Sequence, residues 1–359
     1  FPESCLIRID GLGGSSQRSG YEDWIEIPSS SFGTSLTAQL TGGNLSLGRL
    51  EFNDLSVLAQ DNTALVFLLD QAARSQRIPV VEIAGISSTG DRVLDLRLNN
   101  VLVDSTAFSS GGLNFDLSFG KVGMRQFESV PGDDPRVVQD YAFDVDTNTP
   151  VDFATLNTAG QQRSQSPAPL PQPEELYVYI EGVPGQVTRD GYEGWHKLLD
   201  FSGGVSADGG RPIFSPVELV LEDPFALNGV HSSMAQGTPV SGVRIVGLGR
   251  DRDGDVFEAI SLDLKGAMFK ATSMSASAGS SSASISVDYR EIGITTKAAA
   301  ENSTPSSFGW NAFEGRATAV SAITPDADTL NGAWVAPTKW FLSIEGATGN
   351  STATGREGW

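Results

Sequence analysis

The chain contains few side chains that could act as a nucleophile, a general base or a metal ligand. His196 and His231 are its only histidines, and Cys5 is its only cysteine. A Ser-His-Asp site needs a histidine that is oriented by a carboxylate and faces a serine, and the chain has no Gly-x-Ser-x-Gly nucleophile elbow. Two histidines and one cysteine also do not supply the four ligands of a usual structural zinc site. We therefore predict no catalytic, cofactor-binding or metal-binding residues, and a structural or surface role for both histidines.

Two short motifs resemble ligand loops but have a simpler explanation. Asp251-Arg-Asp-Gly-Asp255 places carboxylates at alternate positions, as calcium-binding loops do. Leu262 stands where an EF-hand needs its glutamate, and the strand pattern predicts a hairpin turn at this segment. Gly11-Leu-Gly-Gly14 lacks the lysine of a phosphate-binding loop and does not begin a helix. We expect an acidic turn in the first case and a strand-ending turn in the second.

The glycines near residue 11 belong to a motif that occurs three times. Residues 6–24 begin with a strand and continue through a glycine-rich loop to Trp24. The pattern returns 171 positions later, ending at Trp195, and again 164 positions after that, ending at Trp359. A period of this length is a whole domain rather than a solenoid unit of about 20 to 50 residues. A glutamate two positions before each tryptophan suggests a shared structural task, such as a hydrogen bond or ion pair between domains. These glutamates are Glu22, Glu193 and Glu357.

The repeats divide the chain into two domains and the opening of a third. Residues 1–156 and 175–314 are the two predicted domains, each long enough for a hydrophobic core of its own. The linker between them, residues 157–174, contains Ser-Pro-Ala-Pro-Leu-Pro-Gln-Pro, which favours an extended spacer. A second linker covers residues 315–338. Residues 339–359 have the apolar alternation of a strand, and they either begin a third domain or add to the sheet edge of a neighbour.

Each domain is predicted to be mainly β, with about eight short strands and one helix. Apolar residues that alternate with charged ones from Leu94 to Leu98 are typical of a half-buried antiparallel strand. Helices are predicted at about residues 62–75 and after Asp223-Pro224, an N-cap followed by a proline. Turn signals about every 8 to 12 residues favour a sandwich or barrel. The helical stripes are Leu65, Leu68, Leu69 and Ala72 in the first domain and Leu227, Val230 and Met234 in the second.

Charge and composition exclude several classes of partner. The 359 residues include 44 acidic and 24 basic side chains, for a net charge of -20. Such a charge argues against nucleic acid and anionic membrane surfaces as partners. No stretch approaches the ~20 apolar residues of a membrane helix. Because glycine, serine and threonine are abundant and only 19% of residues are charged, we expect a secreted, extracellular protein that inserts into no membrane.

The order of several segments resembles that of a known family. They are the opening Ile7-Arg-Ile-Asp-Gly11, Arg49-Leu-Glu-Phe-Asn-Asp-Leu-Ser-Val57, Leu94-Asp-Leu-Arg-Leu-Asn-Asn-Val-Leu-Val-Asp-Ser105, Val287-Asp-Tyr289 and Phe308-Gly-Trp-Asn311. The order resembles the haemolysin-coregulated protein (Hcp) family, the tube protein of type VI secretion systems, and the wider group of phage-tail-tube-like proteins. The resemblance implies two tandem β-barrels, each with a helix packed on its side, that pair laterally into six-membered rings. It further implies that the rings stack into a hollow tube and that the core fold carries no catalysis.

The chain departs from the family in having two domains and a fragment, where members usually have one. The stretch from Trp24 to Asn62 is 38 positions long, but that from Trp195 to Asp223 only 28. The second repeat has therefore lost much of the loop that in the family reaches towards the neighbouring ring. Residues 34–48 of the first repeat are glycine-, serine- and threonine-rich, and are predicted to be a mobile loop or an extended hairpin. We therefore expect a structural subunit that self-assembles into an extracellular tube or filament, with three chains forming a six-domain ring. The alternative is a secreted binding, adhesion or effector-carrier protein that does not polymerise.

Overall fold

A computed structural model describes most of the chain. The described residues are 2–22, 24–41, 44–60, 62–130, 135–160, 170–208, 210–222, 224–277, 280–299 and 303–325. The predicted cap at Asp223 and the segment 339–359 lie outside them. Among the described residues, no helix is long and apolar enough to cross a membrane.

The first domain contains eleven strands and one α-helix. Its elements are β1 (Ser4–Ile9), β2 (Ile25–Ile27), β3 (Ser29–Ser31), β4 (Thr34–Thr41), β5 (Asn44–Phe52), β6 (Leu55–Ala59), α1 (Leu65–Arg74), β7 (Ile78–Ile86), β8 (Arg92–Ser109), β9 (Gly112–Glu128), β10 (Arg136–Asp144) and β11 (Thr149–Pro150). Strand β1 pairs with β2 and β7, β7 with β8, β8 with β9, and β9 with β6, which pairs with β3. Because β3 follows β2 directly, this antiparallel sheet returns to its first strand and closes into a barrel.

The second domain repeats this closure. Its elements are β12 (Glu175–Ile180), β13 (His196–Asp208), β14 (Arg211–Phe214), β15 (Val217–Leu221), α2 (Leu227–Gln236), β16 (Val240–Arg250), β17 (Val256–Ser277), β18 (Ser280–Asp288), β19 (Glu291–Thr296), β20 (Ser306–Asn311) and β21 (Arg316–Ala317). The sheet runs through β12, β13, β15, β18, β17 and β16, and returns to β12. The mainly β class, with one short helix per domain, is therefore confirmed.

Strand registers make the two domains comparable residue by residue. Leu55 pairs with Leu117 in the first barrel, and Val217 pairs with Val287 in the second. The helices α1 and α2 both have ten residues and both end at a residue in the left-handed conformation, Ser75 and Gly237. Positions of the two domains that share a register are called equivalent below.

Several predicted boundaries differ from those of the structure. Helix α1 begins at Leu65 rather than at about residue 62, and α2 begins at Leu227 rather than at the proline. The first turns use backbone bonds: Leu65 N–H donates to Asn62 O, and Leu227 N–H donates to Pro224 O. Residues 34–48 were predicted to form either a mobile loop or an extended hairpin, and the hairpin is confirmed because β4 pairs with β5.

The chain after residue 314 continues the second barrel before it leaves the described region. Strand β21 pairs with β20, so the stretch predicted as a linker begins with ordered structure. Further on, Ile323 N–H donates to the Asp263 carboxylate over 2.8 Å, and the Ile323 side chain packs against Gly242. In the first domain, Gly123 is covered in the same way by Phe153 and Leu156. Each barrel therefore has its outer face covered by the segment that follows its last long strand.

The recurring tryptophan packs each repeat's opening loop onto its barrel. Tyr21 and Trp24 meet edge to face with ring centroids 5.4 Å apart, and Tyr192 and Trp195 do so at 5.2 Å. Both tryptophans are buried, at 5% and 4% exposure. Edge-to-face contact is the geometry that aromatic quadrupoles favour. The motif therefore has a structural role, because it holds the opening loop against the barrel in both described domains.

A buried ion pair on the outer face of each barrel has reversed polarity in the two domains. Glu82 lies 3.5 Å from Arg97, and at the equivalent positions Arg244 lies 3.3 Å from Asp263. Burial raises the pKa of the Glu82 carboxyl, and Arg97 opposes this. Burial likewise raises the pKa of the Asp263 carboxyl, which the N–H of Ile323 and Arg244 oppose. The two domains have preserved a pair of opposite charges rather than the residue at either position.

Candidate assembly interface

The two barrels are joined by an antiparallel strand pair. Strand β8 extends beyond its partner β7, and its residues 105–109 pair with residues 202–206 of β13. Ser110 extends the contact, because its N–H donates to Phe201 O over 3.1 Å and its hydroxyl donates to the Asp200 carboxylate. The sheet of one barrel thus continues into the sheet of the next.

Two glycines allow the strands to approach. Phe108 lies opposite Gly203, and a Cβ at Gly203 would lie 2.7 Å from the Phe108 ring. A Cβ at Gly204 would lie 2.6 Å from the carbonyl oxygen of Thr106. Glycine inside a strand commonly marks such a close approach. The ring of Phe108 also lies 6.5 Å from that of Phe201, so an apolar contact supports the hydrogen-bonded edge.

Helix α1 of the first domain lies between the two barrels. It packs on β8 of its own domain and also against β13, β14, β19 and β20 of the second domain. Its C-terminal Ser75 hydroxyl donates to Gly210 O over 3.2 Å. Helix α2 makes contact only with β17 of its own domain among the element pairs that pack closely in the described chain. The two helices therefore have different neighbours although they occupy equivalent positions.

The difference in neighbours appears as a difference in burial. Leu69 and Ala73 of α1 are 0% and 3% exposed. Their equivalents in α2, His231 and Ala235, are exposed. The side that faces the helix's own barrel is buried in both, as Leu65 and Leu227 show. The second domain therefore buries the face of α1 that contains Leu69 and Ala73.

The residues predicted to have structural roles occupy separate places. His196 is fully buried, with Nε2 3.1 Å from Val183 O, and His231 lies on α2 with Nε2 2.8 Å from the Thr272 hydroxyl. They lie on different elements of the second domain, and no carboxylate–histidine–serine arrangement is formed by their described hydrogen bonds. Cys5 is half-buried, and burial raises the pKa of its thiol.

Glu22, the first of the recurring glutamates, bonds within its own turn. Glu22 accepts a hydrogen bond from Gly20 N–H over 3.0 Å, and backbone N–H groups lower the pKa of its carboxyl. The hydrogen bond from Gly20 therefore stabilises the turn that contains Glu22, and the suggested bond between domains stays a prediction.

The acidic segment that resembles a calcium loop is held by backbone hydrogen bonds. The Asp251 carboxylate accepts the N–H groups of Asp253 and Asp255 over 3.0 and 2.8 Å. Asp251 N–H in turn donates to Asp255 O over 3.0 Å and closes the hairpin between β16 and β17. Among the described residues, no group of three or more histidine, cysteine, aspartate or glutamate side chains is arranged to hold a metal ion.

Sequence reasoning missed the residues that join the domains. The helical stripe predicted Leu69 as core, but the pattern does not distinguish burial against the helix's own barrel from burial against its neighbour. The Gly203-Gly204 pair inside an apolar strand was the one available signal of close approach. Phe108 had none, since one aromatic residue in a strand fits any buried position.

Part of the chain is similar to known proteins. Residues 6–128 match the model of a family described as "Type VI secretion system effector, Hcp". Similar solved structures include a type six secretion system protein and Hcp1 from Salmonella typhimurium, each 17% identical, with TM-scores of 0.38 and 0.35. The matches cover 41% and 42% of this chain and 99% and 100% of those chains. No curated protein matches the chain.

The matched region runs from β1 to the end of β9 and so contains the strands and the helix that build the first barrel. The second barrel has the same strand order and closure, with its own linker and a shorter hairpin. Residues 6–128 therefore match the Hcp family model, and the second domain repeats the architecture of the first in tandem.

Proposed function

We propose that this chain is a structural subunit that self-assembles through its Hcp-like domains into an extracellular tube or filament. The observation that supports it best is the strand pair between residues 105–109 and 202–206. It joins two like domains through two different surfaces, one on each. Such head-to-tail contacts form rings when the rotation between neighbours closes, and open filaments when it does not.

The two surfaces used inside the chain recur on the outer sides of the two described domains. Residues 271–275 of β17 are equivalent to 105–109, and residues 31–35 are equivalent to 202–206. Among the described residues, no strand pairs with the outer edge of either segment. A second chain is a suitable partner for both. With the six-membered ring that the resemblance implies, three two-domain chains complete one ring.

The function in this proposal resides in interfaces rather than in a catalytic site. The family whose model matches residues 6–128 is described as a type VI secretion system effector, which supports a secreted location for this chain. The net charge of -20 disfavours nucleic acid as a partner. For residues 339–359 we keep both predictions: they either begin a third domain or form a strand that pairs with a neighbour.

Negative-stain electron microscopy together with light scattering tests the proposal. We expect rings of three chains of 37.9 kDa each, about 114 kDa in total, and stacked rings or filaments at higher concentration. Compact particles with the mass of one chain, at high concentration and in the salt of the native medium, would refute self-assembly. That result would favour the non-polymerising carrier or adhesin.

A further inference from the structure

A comparison of equivalent positions identifies the surfaces through which two chains would meet. It rests on the proposed self-assembly and specifies its contacts. Inside the chain, α1 and the end of β8 form the donor side, and the second barrel forms the acceptor side. The donor surface at the other end is then α2 with residues 271–275, and the acceptor surface is the equivalent face of the first barrel.

On the donor surface, α2 has an uncovered face where α1 has a buried one. His231 and Ala235 are exposed, whereas their equivalents in α1 are buried by the second domain. With histidine counted as neutral, α2 contains no charged residue. Its sequence is Leu227-Asn-Gly-Val-His-Ser-Ser-Met-Ala-Gln236. A neutral helix face can be buried without the desolvation cost of an unpaired charge.

On the acceptor surface, an aromatic pair has the same geometry in both domains but different exposure. Phe308 and Trp310 stack with centroids 6.3 Å apart, and their equivalents Tyr141 and Phe143 stack at 6.2 Å. Phe308 is 6% exposed in the second domain, where α1 lies against β20. Tyr141 is 42% exposed. The first domain therefore has the same pair of stacked aromatic rings, but among the described residues no helix covers it.

The strand edges of the seam carry large side chains at both facing positions, whereas the internal contact pairs a large side chain with a glycine. Inside the chain the large Phe108 faces Gly203; between chains the equivalent residues are Met274 and Phe32. Met274 is 54% and Phe32 37% exposed. The flexible methionine can lie across the larger ring, since its unbranched side chain adapts to irregular surfaces. Gly33, the equivalent of Gly204, keeps the close approach of the backbones possible.

We infer that α2 and residues 271–275 of one chain dock head-to-tail on Phe32, Gly33 and Tyr141 of a second copy of the chain. The strands pair with Met274 opposite Phe32 and Ser273 opposite Gly33, the register of the internal contact. This seam is more polar than the internal one, because His231 replaces Leu69. It is therefore the contact at which an assembled ring opens first.

The decisive variant is Ala235→Glu, which places a charge on the uncovered face of α2. The side chain is exposed in the single chain, so the melting temperature and the circular dichroism spectrum are expected to stay as in the wild type. The matched control is Ser232→Glu on the same helix, where the equivalent residue of α1 is already an acid, Asp70. We expect at least a tenfold higher concentration for half-assembly of Ala235→Glu, and less than a threefold change for Ser232→Glu.

The opposite change tests the same surface by gain. His231→Leu installs the residue that the internal contact uses, and it is expected to lower the concentration for half-assembly. Wild-type chains that stay single at all concentrations would overturn the proposed function and this seam together. Wild-type rings with Ala235→Glu assembling as readily as the wild type would overturn the seam alone and leave the function standing.

Discussion

Substitution of Gly204 by alanine tests whether the two domains are held by the strand pair described above. The added Cβ would lie 2.6 Å from Thr106 O and 3.3 Å from Ala107 Cα. Both neighbours are backbone atoms, so neither can rotate away as a side chain would. To restore an ordinary contact of at least 3.4 Å, the strands would have to separate by roughly 0.8 Å, which is overpacking of a tightly fitted interface.

The size of the effect follows from two opposing contributions. Overpacking typically costs about 1–3 kcal/mol. Replacing glycine restricts the unfolded chain and returns about 0.4–1 kcal/mol. The net loss of unfolding free energy is therefore roughly 0–2.6 kcal/mol with a middle value of about 1.3 kcal/mol, which lowers the melting temperature of a domain of this size by about 3–5 °C. Scanning calorimetry measures it, and amide hydrogen exchange locates it.

The matched control is Gly33→Ala at the equivalent position of the first domain. A Cβ there would meet only the side chain of Asn53, at 3.1 Å from Nδ2, which can move. At a protein concentration below that of half-assembly, where the seam proposed at Gly33 is not formed, we expect Gly33→Ala to melt as the wild type does. For Gly204→Ala, exchange should accelerate at residues 105–109 and 202–206 and stay slow where β12 pairs with β16. An unchanged melting temperature and unchanged protection at those segments would refute the tight strand contact.

Three further predictions concern charge. The double variant Glu82→Arg with Arg97→Asp copies the polarity of the ion pair in the second domain. In urea unfolding, its loss of stability should be smaller than the sum of the losses of the two single variants, with a coupling free energy of about 1–3 kcal/mol. Strictly additive losses would contradict the ion pair. Because burial raises the folded-state pKa of Glu82, its contribution to stability is full below the unfolded pKa and is lost as pH rises through the folded one. The unfolding free energy of the wild type minus that of Glu82→Gln should therefore fall as the pH rises above the ordinary glutamate pKa of about 4, and a difference that grows would be inconsistent with it. Each chain carries -20, so light scattering should show stronger assembly at 0.5 M than at 0.05 M sodium chloride, and weaker assembly in high salt would mean that attraction between charges dominates the seam.

The sequence predicted the architecture because the signals that define a barrel are local. Alternation gave the strands, the stripe from Leu65 to Ala72 gave the helix, and the repeat gave the number of domains. Helix starts were less accurate, since Ala64 and Ala226 precede α1 and α2 with no side-chain cap bond and leave no sequence mark. The reversed ion pair was also invisible, because nothing in the strand pattern says which charged residues face each other.

The contact between domains could not be predicted for a different reason. It depends on comparing two copies of one fold in different surroundings. Leu69 and His231 occupy the same position in their helices, but Leu69 is buried and His231 is exposed. Only the structure shows that the two helices have different neighbours. A repeated sequence therefore predicts repeated domains, but the departures between repeats indicate which surface each copy uses.

Those departures also fix the symmetry expected of an assembled ring. In the first domain the hairpin is long, because β4 has eight residues and β5 nine; in the second, β14 has only four. Three two-domain chains would place a long hairpin on every second domain, so the ring has threefold rather than sixfold symmetry. Image averages computed without imposed symmetry should show three strong projections separated by three weak ones. Six equal projections would mean that the tandem domains do not alternate around the ring, and the head-to-tail seam would then have to be abandoned.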